Sequence, residues 1–218
     1  MKIGIFGGTF NPIHYGHLRA AEEVRERLEF DKILFIPSGD PPLKTEDLAH
    51  ARHRYKMTRL AILTNRLFEL SDIECGRAGK SYTVKTIEQL KTHNPEIEFT
   101  LILGIDAFLD LTNWWHPERL IAMTDFVIIS RPDFKFSDLQ ASPYIKFSKT
   151  ALKRLGDAGI ETDVLKLKSN RVATLLRITR MEISSTGIRG LLKGGKSVKY
   201  LLPAEIESYI ITNKLYVT

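Results

Sequence analysis

Two histidines, His14 and His17, follow a glycine-rich segment near the start of the chain, within GGTFNPIHYGH at residues 7–17. The apolar residues 3–6 predict a strand before this segment, and residues 16–28, which contain few helix breakers, predict a helix after it. Glycines let the backbone approach an anion closely, and the N–H groups at the start of a helix point toward it. Each imidazole can donate a hydrogen bond to a phosphate oxygen. The segment therefore predicts a phosphate-binding site.

A second candidate phosphate site lies in ISSTGIRG, at residues 183–190. Serine and threonine ahead of Gly-Ile-Arg predict the capped start of a helix, whose exposed N–H groups can bind phosphate. Arg189, one turn into that helix, would add a forked cation. The same residues could form an ordinary capped helix, so the phosphate interpretation depends on the presence of the N-terminal segment in the same chain.

The segment GGTFNPIHYGH, with HxGH at residues 14–17, resembles the signature of the nucleotidylyltransferase superfamily. Nearly the whole chain resembles one branch of it, the bacterial nicotinate mononucleotide adenylyltransferases. The later matches to that branch are Pro41-Pro42-Leu43-Lys44, Ser81-Tyr82-Thr83, Gly104-Ile105-Asp106, Trp114 and Ile183–Arg189. The resemblance implies transfer of the adenylyl group of ATP to nicotinate mononucleotide, which gives nicotinate adenine dinucleotide and pyrophosphate in NAD biosynthesis. It also implies that Mg2+ accompanies ATP.

The resemblance implies an ATP site built from both candidate phosphate segments and from the end of the predicted strand at residues 99–104. It implies that Ser185, Thr186 and Arg189 hold the β- and γ-phosphates. Asp106 follows the strand end, where such sheets bind ligands, and is expected to accept a hydrogen bond from the ATP ribose; a role as a helix cap is the alternative. The predicted ATP-binding residues are Gly7, Gly8, Thr9, Phe10, His17, Gly104, Asp106, Ile183, Ser185, Thr186 and Arg189. The predicted catalytic residues are His14, His17, Lys44 and Arg189.

The acceptor site is predicted from a helix start and two tryptophans. Ser81-Tyr82-Thr83 opens a predicted helix at residues 82–93, whose first N–H groups can bind a carboxylate. Trp114 and Trp115 lie in a polar loop that contains proline, where an indole can stack on an aromatic ring; ordinary core packing is the alternative. A carboxylate on an aromatic ring describes nicotinate, and the resemblance implies that Trp114 stacks on the pyridine. The predicted acceptor-binding residues are Lys44, Ser81, Tyr82, Thr83, Trp114, Trp115 and Arg131.

Basic residues between the second and third predicted strands are of two kinds. Lys44 follows two prolines in a loop, from which it can reach phosphates across a cleft. Relatives commonly carry Pro-Pro-His-Lys there, and this chain has Leu43 in place of the histidine, which removes one hydrogen-bond donor. Arg52 and Arg54 lie in a predicted helix at residues 50–65 and could extend the basic cleft. Because arginines on helices are usually solvated, we expect both to be solvated instead.

Strand and helix patterns alternate along the chain, which predicts an α/β fold: a Rossmann-like doubly wound parallel sheet with a small C-terminal helical segment. The predicted strands are Ile3–Phe6, Lys32–Pro37, Phe68–Ile73, Phe99–Gly104, Asp125–Ser130 and Val172–Ile178. We expect a single domain over residues 1–218, with the helical part at about 184–218. Residues 133–171, where a helix-like stretch at 147–155 and an apolar alternation at 164–167 stand out, are expected to form an insertion or a contact in a homo-oligomer.

The composition narrows the functional class. The net charge is +6, from 32 basic and 26 acidic residues, which suits an enzyme with phosphate ligands and would also suit RNA binding. Because the basic residues are scattered, we expect no nucleic-acid partner. Cys75 is the only cysteine, which excludes an intrachain disulfide and a cysteine metal cluster. The chain has no apolar run near the ~18–20 residues of a membrane span and no apolar signal-peptide core, so we expect a cytoplasmic protein without a membrane partner.

Three alternative functions are left open by the sequence. Phosphopantetheine adenylyltransferases share the first signature, although they would not need Ser81-Tyr82-Thr83 or the tryptophan pair. Nicotinamide mononucleotide could replace the acid as acceptor, because the choice between carboxylate and amide depends on backbone geometry. A non-enzymatic nucleotide- or RNA-binding module could use the same sheet.

Overall fold

The computed structural model describes residues 1–42, 47–155 and 160–217, and the predicted Lys44 lies outside them. The strands are β1 (Lys2–Gly8), β2 (Lys32–Pro37), β3 (Phe68–Leu70), β4 (Glu98–Gly104), β5 (Asp125–Ile129), β6 (Ile145–Lys146), β7 (Thr162–Leu167) and β8 (Val172–Leu176). The α-helices are α1 (Tyr15–Arg27), α2 (Ala51–Ile62), α3 (Thr83–His93), α4 (Ile105–Leu109), α5 (Pro117–Met123), α6 (Lys149–Leu155), α7 (Ser185–Lys193) and α8 (Ala204–Thr212). Short 3₁₀ helices cover Asp110–Asn113 and Phe136–Ala141.

The strands form one sheet in the order β3-β2-β1-β4-β5-β8-β7-β6. Strand β1 pairs in parallel with β2 on one side and with β4 on the other. The chain moves outward from β1 to β3 and then returns to β4, so the strand order reverses between β1 and β4. In open α/β sheets, the crevice at such a reversal, outside the carboxyl ends of the strands, is where ligands bind.

Helices cover both faces of the sheet, as a doubly wound fold requires. Along β2, Ile33 and Phe35 belong to the core under α1, α2, α7 and α8, whereas Leu34 and Ile36 belong to the core under α3 to α6. Successive side chains of a strand point to opposite faces, so a continuous apolar run marks a strand that is buried on both. The predicted α/β, Rossmann-like fold with C-terminal helices is confirmed.

The sheet is not parallel throughout, which differs from the prediction. Strand β7 pairs antiparallel with β8, and the two-residue strand β6 pairs antiparallel with β7. Because only a short turn joins β7 to β8, the two can meet only as a hairpin. Burial alternates at the end of β7, where Leu165 and Leu167 are buried and Lys166 between them is exposed. This alternation is typical of a strand with one solvated face.

Residues 133–171 extend the edge of the sheet through β6 and β7 and add helix α6. Their predicted roles as an insertion or an oligomer contact stay predictions, as does the single-domain division of the chain. The sequence predicted no bounds for the short helices α4 and α5. None of the helices in the described parts of the chain combines the length and apolar character that a membrane-spanning segment requires.

Candidate active site

A cleft of about 1210 Å³ lies where the strand order reverses, and it brings most of the predicted site residues together. The predicted residues that line it are Gly7, Gly8, Thr9, Phe10, His17, Ser81, Tyr82, Thr83, Gly104, Asp106, Trp114, Trp115, Arg131, Ser185, Thr186 and Arg189. His14 is buried behind the wall, and Ile183 packs against the core beside α1 and α2.

The two histidines of the N-terminal segment are in direct contact. Their rings lie 3.8 Å apart between centroids, and the backbone N–H of His14 donates to Nδ1 of His17 at 3.3 Å. A neutral His17 that accepts through Nδ1 carries its proton on Nε2. The ring of Phe10 meets that of His17 edge-on at 5.2 Å and helps to fix its orientation.

His14 differs from His17 in its surroundings. The residue is 3% exposed, and its Nδ1 has no hydrogen-bond partner among the described residues. Burial, with a smaller contribution from the charge of Arg131, lowers the pKa of His14 to about 4. A side chain at Gly16 would come within 3.1 Å of the His14 ring and would crowd it. His14 is therefore a neutral, packed imidazole at pH 7.

The N-terminal and C-terminal segments contact each other across the cleft. The hydroxyl of Ser185 donates to the carbonyl of Pro12 at 2.8 Å, and Nη1 of Arg189 donates to the carbonyl of Asn11 at 3.0 Å. Helix α7 begins at Ser185, and its N-cap Ser184 accepts a hydrogen bond from the backbone N–H of Gly187 at 3.0 Å. The capped helix start is thus present and adjoins the glycine-rich loop.

The end of β4 places an acidic and a basic side chain together. Nε of Arg131 lies 3.5 Å from Oδ1 of Asp106, and both side chains are partly exposed. A side chain at Gly104 would come within 2.3 Å of Oδ1 of Asp106 and 2.6 Å of Nε of Arg131, so any larger residue would displace this pair from its present position. Asp106 is not the cap of α4, because Gly104 occupies that position. Asp106 lies in the first turn of α4 and lines the cleft.

Aromatic side chains form the far end of the cleft. The rings of Tyr82 and Trp115 stack with centroids 4.7 Å apart, and Nζ of Lys85 lies 4.9 Å from the Trp115 ring. Trp114 packs against the core and donates from Nε1 to Asp110 at 3.3 Å. Trp115 is 40% exposed, so the aromatic surface is open to solvent.

Helix α3 starts beside these rings. Its N-cap, Tyr82, makes no side-chain cap hydrogen bond, so no side-chain cap occupies the first N–H groups of the helix. The preceding Ser81 is 7% exposed, and its Oγ accepts from the backbone N–H groups of Gly39 at 2.9 Å and Asp40 at 3.2 Å. Ser81 therefore holds the Gly39–Asp40 backbone in place, whereas the start of α3 borders the cleft.

Comparisons with known proteins identify the family of this chain. The sequence profile of the Cytidylyltransferase-like family matches residues 5–191. A probable nicotinate-nucleotide adenylyltransferase from Geobacter sulfurreducens is 40% identical over 222 residues, covering 99% of this chain and 98% of the relative. One from Syntrophotalea carbinolica is 41% identical over 219 residues, covering 99% and 97%. The chain belongs to the nicotinate-nucleotide adenylyltransferase family.

A solved adenylyltransferase has the same fold. The Plasmodium falciparum nicotinic acid mononucleotide adenylyltransferase, in complex with NaAD, superposes with a TM-score of 0.73 at 22% identity, covering 99% of this chain and 97% of that one. At 22% sequence identity, this structural match supports the shared fold alone. The family that the signatures predicted is confirmed.

Two residues that hold this adenylyltransferase cleft together were missed in the sequence. Asn11 accepts at Oδ1 from the Tyr216 hydroxyl at 2.7 Å and donates from Nδ2 to the carbonyl of Asp47 at 2.7 Å. Arg54 was expected to be solvated, and this is wrong, because the residue is 0% exposed. A signal was available: Arg54 shares a helix face with Met57, Thr58 and Ile62, which are all buried.

Proposed function

We propose that the protein transfers the adenylyl group of ATP to nicotinate mononucleotide and releases pyrophosphate. The observation that carries the proposal is a single cleft, lined at one end by the glycine-rich loop and the α7 start, and at the other by Trp114, Trp115 and the uncapped start of α3. The first end suits a triphosphate, and the second suits an aromatic carboxylate.

The reaction needs positioning more than acid–base chemistry. The acceptor phosphate is already anionic at pH 7 and attacks the α-phosphorus of ATP in line; one P–O bond forms as the bond to pyrophosphate breaks. The barrier comes from bringing two anions together and from charge that develops on the leaving oxygens. His17 donates a hydrogen bond near the α-phosphorus, and Arg189 balances charge on the β- and γ-phosphates. His14, neutral and packed, fixes the ring of His17.

The remaining predicted residues divide between donor and acceptor. The backbone of Gly7–Thr9 approaches the ATP phosphates, and Asp106 accepts a hydrogen bond from the ATP ribose. Arg131 attracts the acceptor phosphate, and the N–H groups near Thr83 bind the nicotinate carboxylate. Lys44, in the chain between Pro42 and Asp47, supplies a further cation.

A divalent cation is expected to enter with the nucleotide, and we propose Mg2+. Among the described residues, no group of three or more His, Cys, Asp or Glu side chains is arranged to hold a metal ion. Phosphate oxygens and water would therefore be its main ligands, which is how Mg2+ is commonly held in nucleotide sites. The cation would neutralise phosphate charge, and Asp106, which lines the cleft, would be a candidate for a contact through water.

Pyrophosphate release tests the substrate assignment. Wild-type protein is assayed with ATP and, separately, with nicotinate mononucleotide, nicotinamide mononucleotide or phosphopantetheine as acceptor. We expect the highest kcat/KM with nicotinate mononucleotide. No release with that acceptor, or a preference for one of the other two, would overturn the assignment, and a filter-binding assay with RNA checks the non-enzymatic alternative.

A further inference from the structure

Arg54 is a buried cation that connects the loops around the cleft. Its guanidinium donates to three backbone carbonyls, each at 2.8 Å: Nη1 to Thr9, Nη2 to Gly39 and Nε to Ala49. Thr9 belongs to the glycine-rich loop, and the other two flank the segment between β2 and α2. One side chain in α2 therefore holds Thr9, Gly39 and Ala49 at fixed positions relative to one another.

The hydrogen-bond path continues from Gly39 to the acceptor end. The N–H groups of Gly39 and Asp40 donate to Oγ of Ser81, and the N–H of Ser81 donates back to the carbonyl of Asp40 at 2.8 Å. A side chain at Gly39 would come within 2.2 Å of the carbonyl of Glu74, so the turn is also tightly packed. Ser81 lies two residues before Thr83, where α3 begins.

These contacts join the two substrate sites through protein alone. The path runs from Thr9, at the ATP phosphates, through Arg54 and the Gly39–Asp40 turn to Ser81, at the acceptor carboxylate. A buried guanidinium is costly unless its N–H groups are paired, and here they are paired with carbonyls whose positions they fix. An apolar side chain of similar length would fill the same space without that constraint. The hydrogen bonds of Arg54 are therefore not needed to fill the space that its side chain occupies.

We infer that Arg54 is a positioning residue for adenylyl transfer, which sets the spacing between the donor loop and the acceptor helix through Ser81. The inference rests on the proposed function. In-line attack requires the reacting phosphate oxygen and phosphorus to be held at close range, and a misplacement of about 1 Å can cost roughly 10²-fold in rate. Each substrate alone contacts only one end of the link, so its separate binding does not depend on the spacing.

The test compares Arg54→Met with Arg52→Met, a matched arginine on the same helix whose side chain is exposed. We expect kcat of Arg54→Met to fall about 10- to 100-fold, while the dissociation constants of ATP and of nicotinate mononucleotide, each measured alone by calorimetry, stay near those of the wild type. Arg52→Met should match the wild type in all three. Arg54→Lys, which keeps the charge but not the fork, should recover part of kcat.

A double-mutant cycle makes the link itself measurable. If Arg54 acts through Ser81, the kcat losses of Arg54→Met and Ser81→Ala should be less than additive when combined, because either change breaks the same path. Should Arg54→Met fail to fold in a thermal melt, Arg54→Lys replaces it in the cycle. Unchanged kcat, additive losses, or a loss carried wholly by the dissociation constant of one substrate would overturn the inference. An inactive wild-type protein would instead refute the proposed function, and this role with it.

Discussion

The two ends of the cleft are held by different kinds of contact. The donor end joins residues 173 and 178 positions apart, Ser185 with Pro12 and Arg189 with Asn11, through polar hydrogen bonds. The acceptor end is built from aromatic rings, where Trp115 is 40% exposed and stacks on Tyr82. The strength of a hydrogen bond to a phosphate depends on the alignment of donor and acceptor, whereas the strength of stacking depends on the area of ring contact. Changes at the donor end should therefore reduce kcat, and changes at the acceptor end should raise the acceptor KM.

The largest effect is expected at the donor end, for His17→Ala. Removing one donor aimed at charge that develops in the transition state should lower kcat by roughly 10²–10³-fold. Steady-state kinetics of pyrophosphate release measure it, with His93→Ala, at the exposed end of α3, as the control. A kcat close to that of the wild type would show that His17 is not a catalytic residue. It would also contradict the expectation that changes at the donor end lower kcat.

The burial of His14 predicts a pH dependence of stability. Because the pKa of His14 is lowered from 6.5 to about 4 in the folded protein, the unfolded chain takes up a proton first as the pH falls. The stabilising contribution is complete above pH 6.5, and it declines as the pH falls from 6.5 toward 4, by at most roughly 3 kcal/mol. Urea unfolding between pH 7 and pH 4.5 measures the slope.

His14→Gln should flatten that slope, because the variant lacks the group that titrates. His93→Gln, on an exposed part of α3, should leave the slope as it is in the wild type. Equal slopes for His14→Gln and the wild type would show that His14 is not held neutral by burial. The donor end would then differ less from the solvent-exposed acceptor end than we describe.

The smallest effect is expected at the acceptor end, for Trp115→Ala. Loss of one aromatic surface should raise the KM for nicotinate mononucleotide about 3- to 10-fold, with kcat and the KM for ATP little changed. Tyr200→Ala serves as the control, because Tyr200 is an 88% exposed aromatic residue outside the cleft. A fall in kcat without a change in the acceptor KM would contradict the assignment of acceptor binding to this end of the cleft.

Local patterns in the sequence were sufficient for the elements that carry the donor site. Glycines between an apolar run and a helix former predicted β1, the loop and α1, and serine before Gly-Ile-Arg predicted the capped start of α7. That the two segments meet was implied by the resemblance, since no periodicity relates residues 170 positions apart. Gly104 and Asp106 were placed by the rule that ligands bind at the carboxyl ends of strands.

Other features depend on tertiary contacts that a sequence pattern does not contain. The guanidinium of Arg54 is satisfied only because the backbone carbonyls of Thr9, Gly39 and Ala49 converge on it, and Asn11 connects segments far apart in the chain. Helices α4 and α5 have five and seven residues, too few to show a clear period. The antiparallel hairpin was signalled by the alternation at residues 164–167, but the direction of a strand is decided by its connection.

A crystal structure with a non-hydrolysable ATP analogue tests the central claim, that segments from both ends of the chain bind one triphosphate. The account predicts density for the phosphates between the backbone of Gly7–Thr9 and the residues Thr186–Arg189, with the α-phosphorus facing the aromatic end of the cleft. Phosphate density remote from either segment would contradict it.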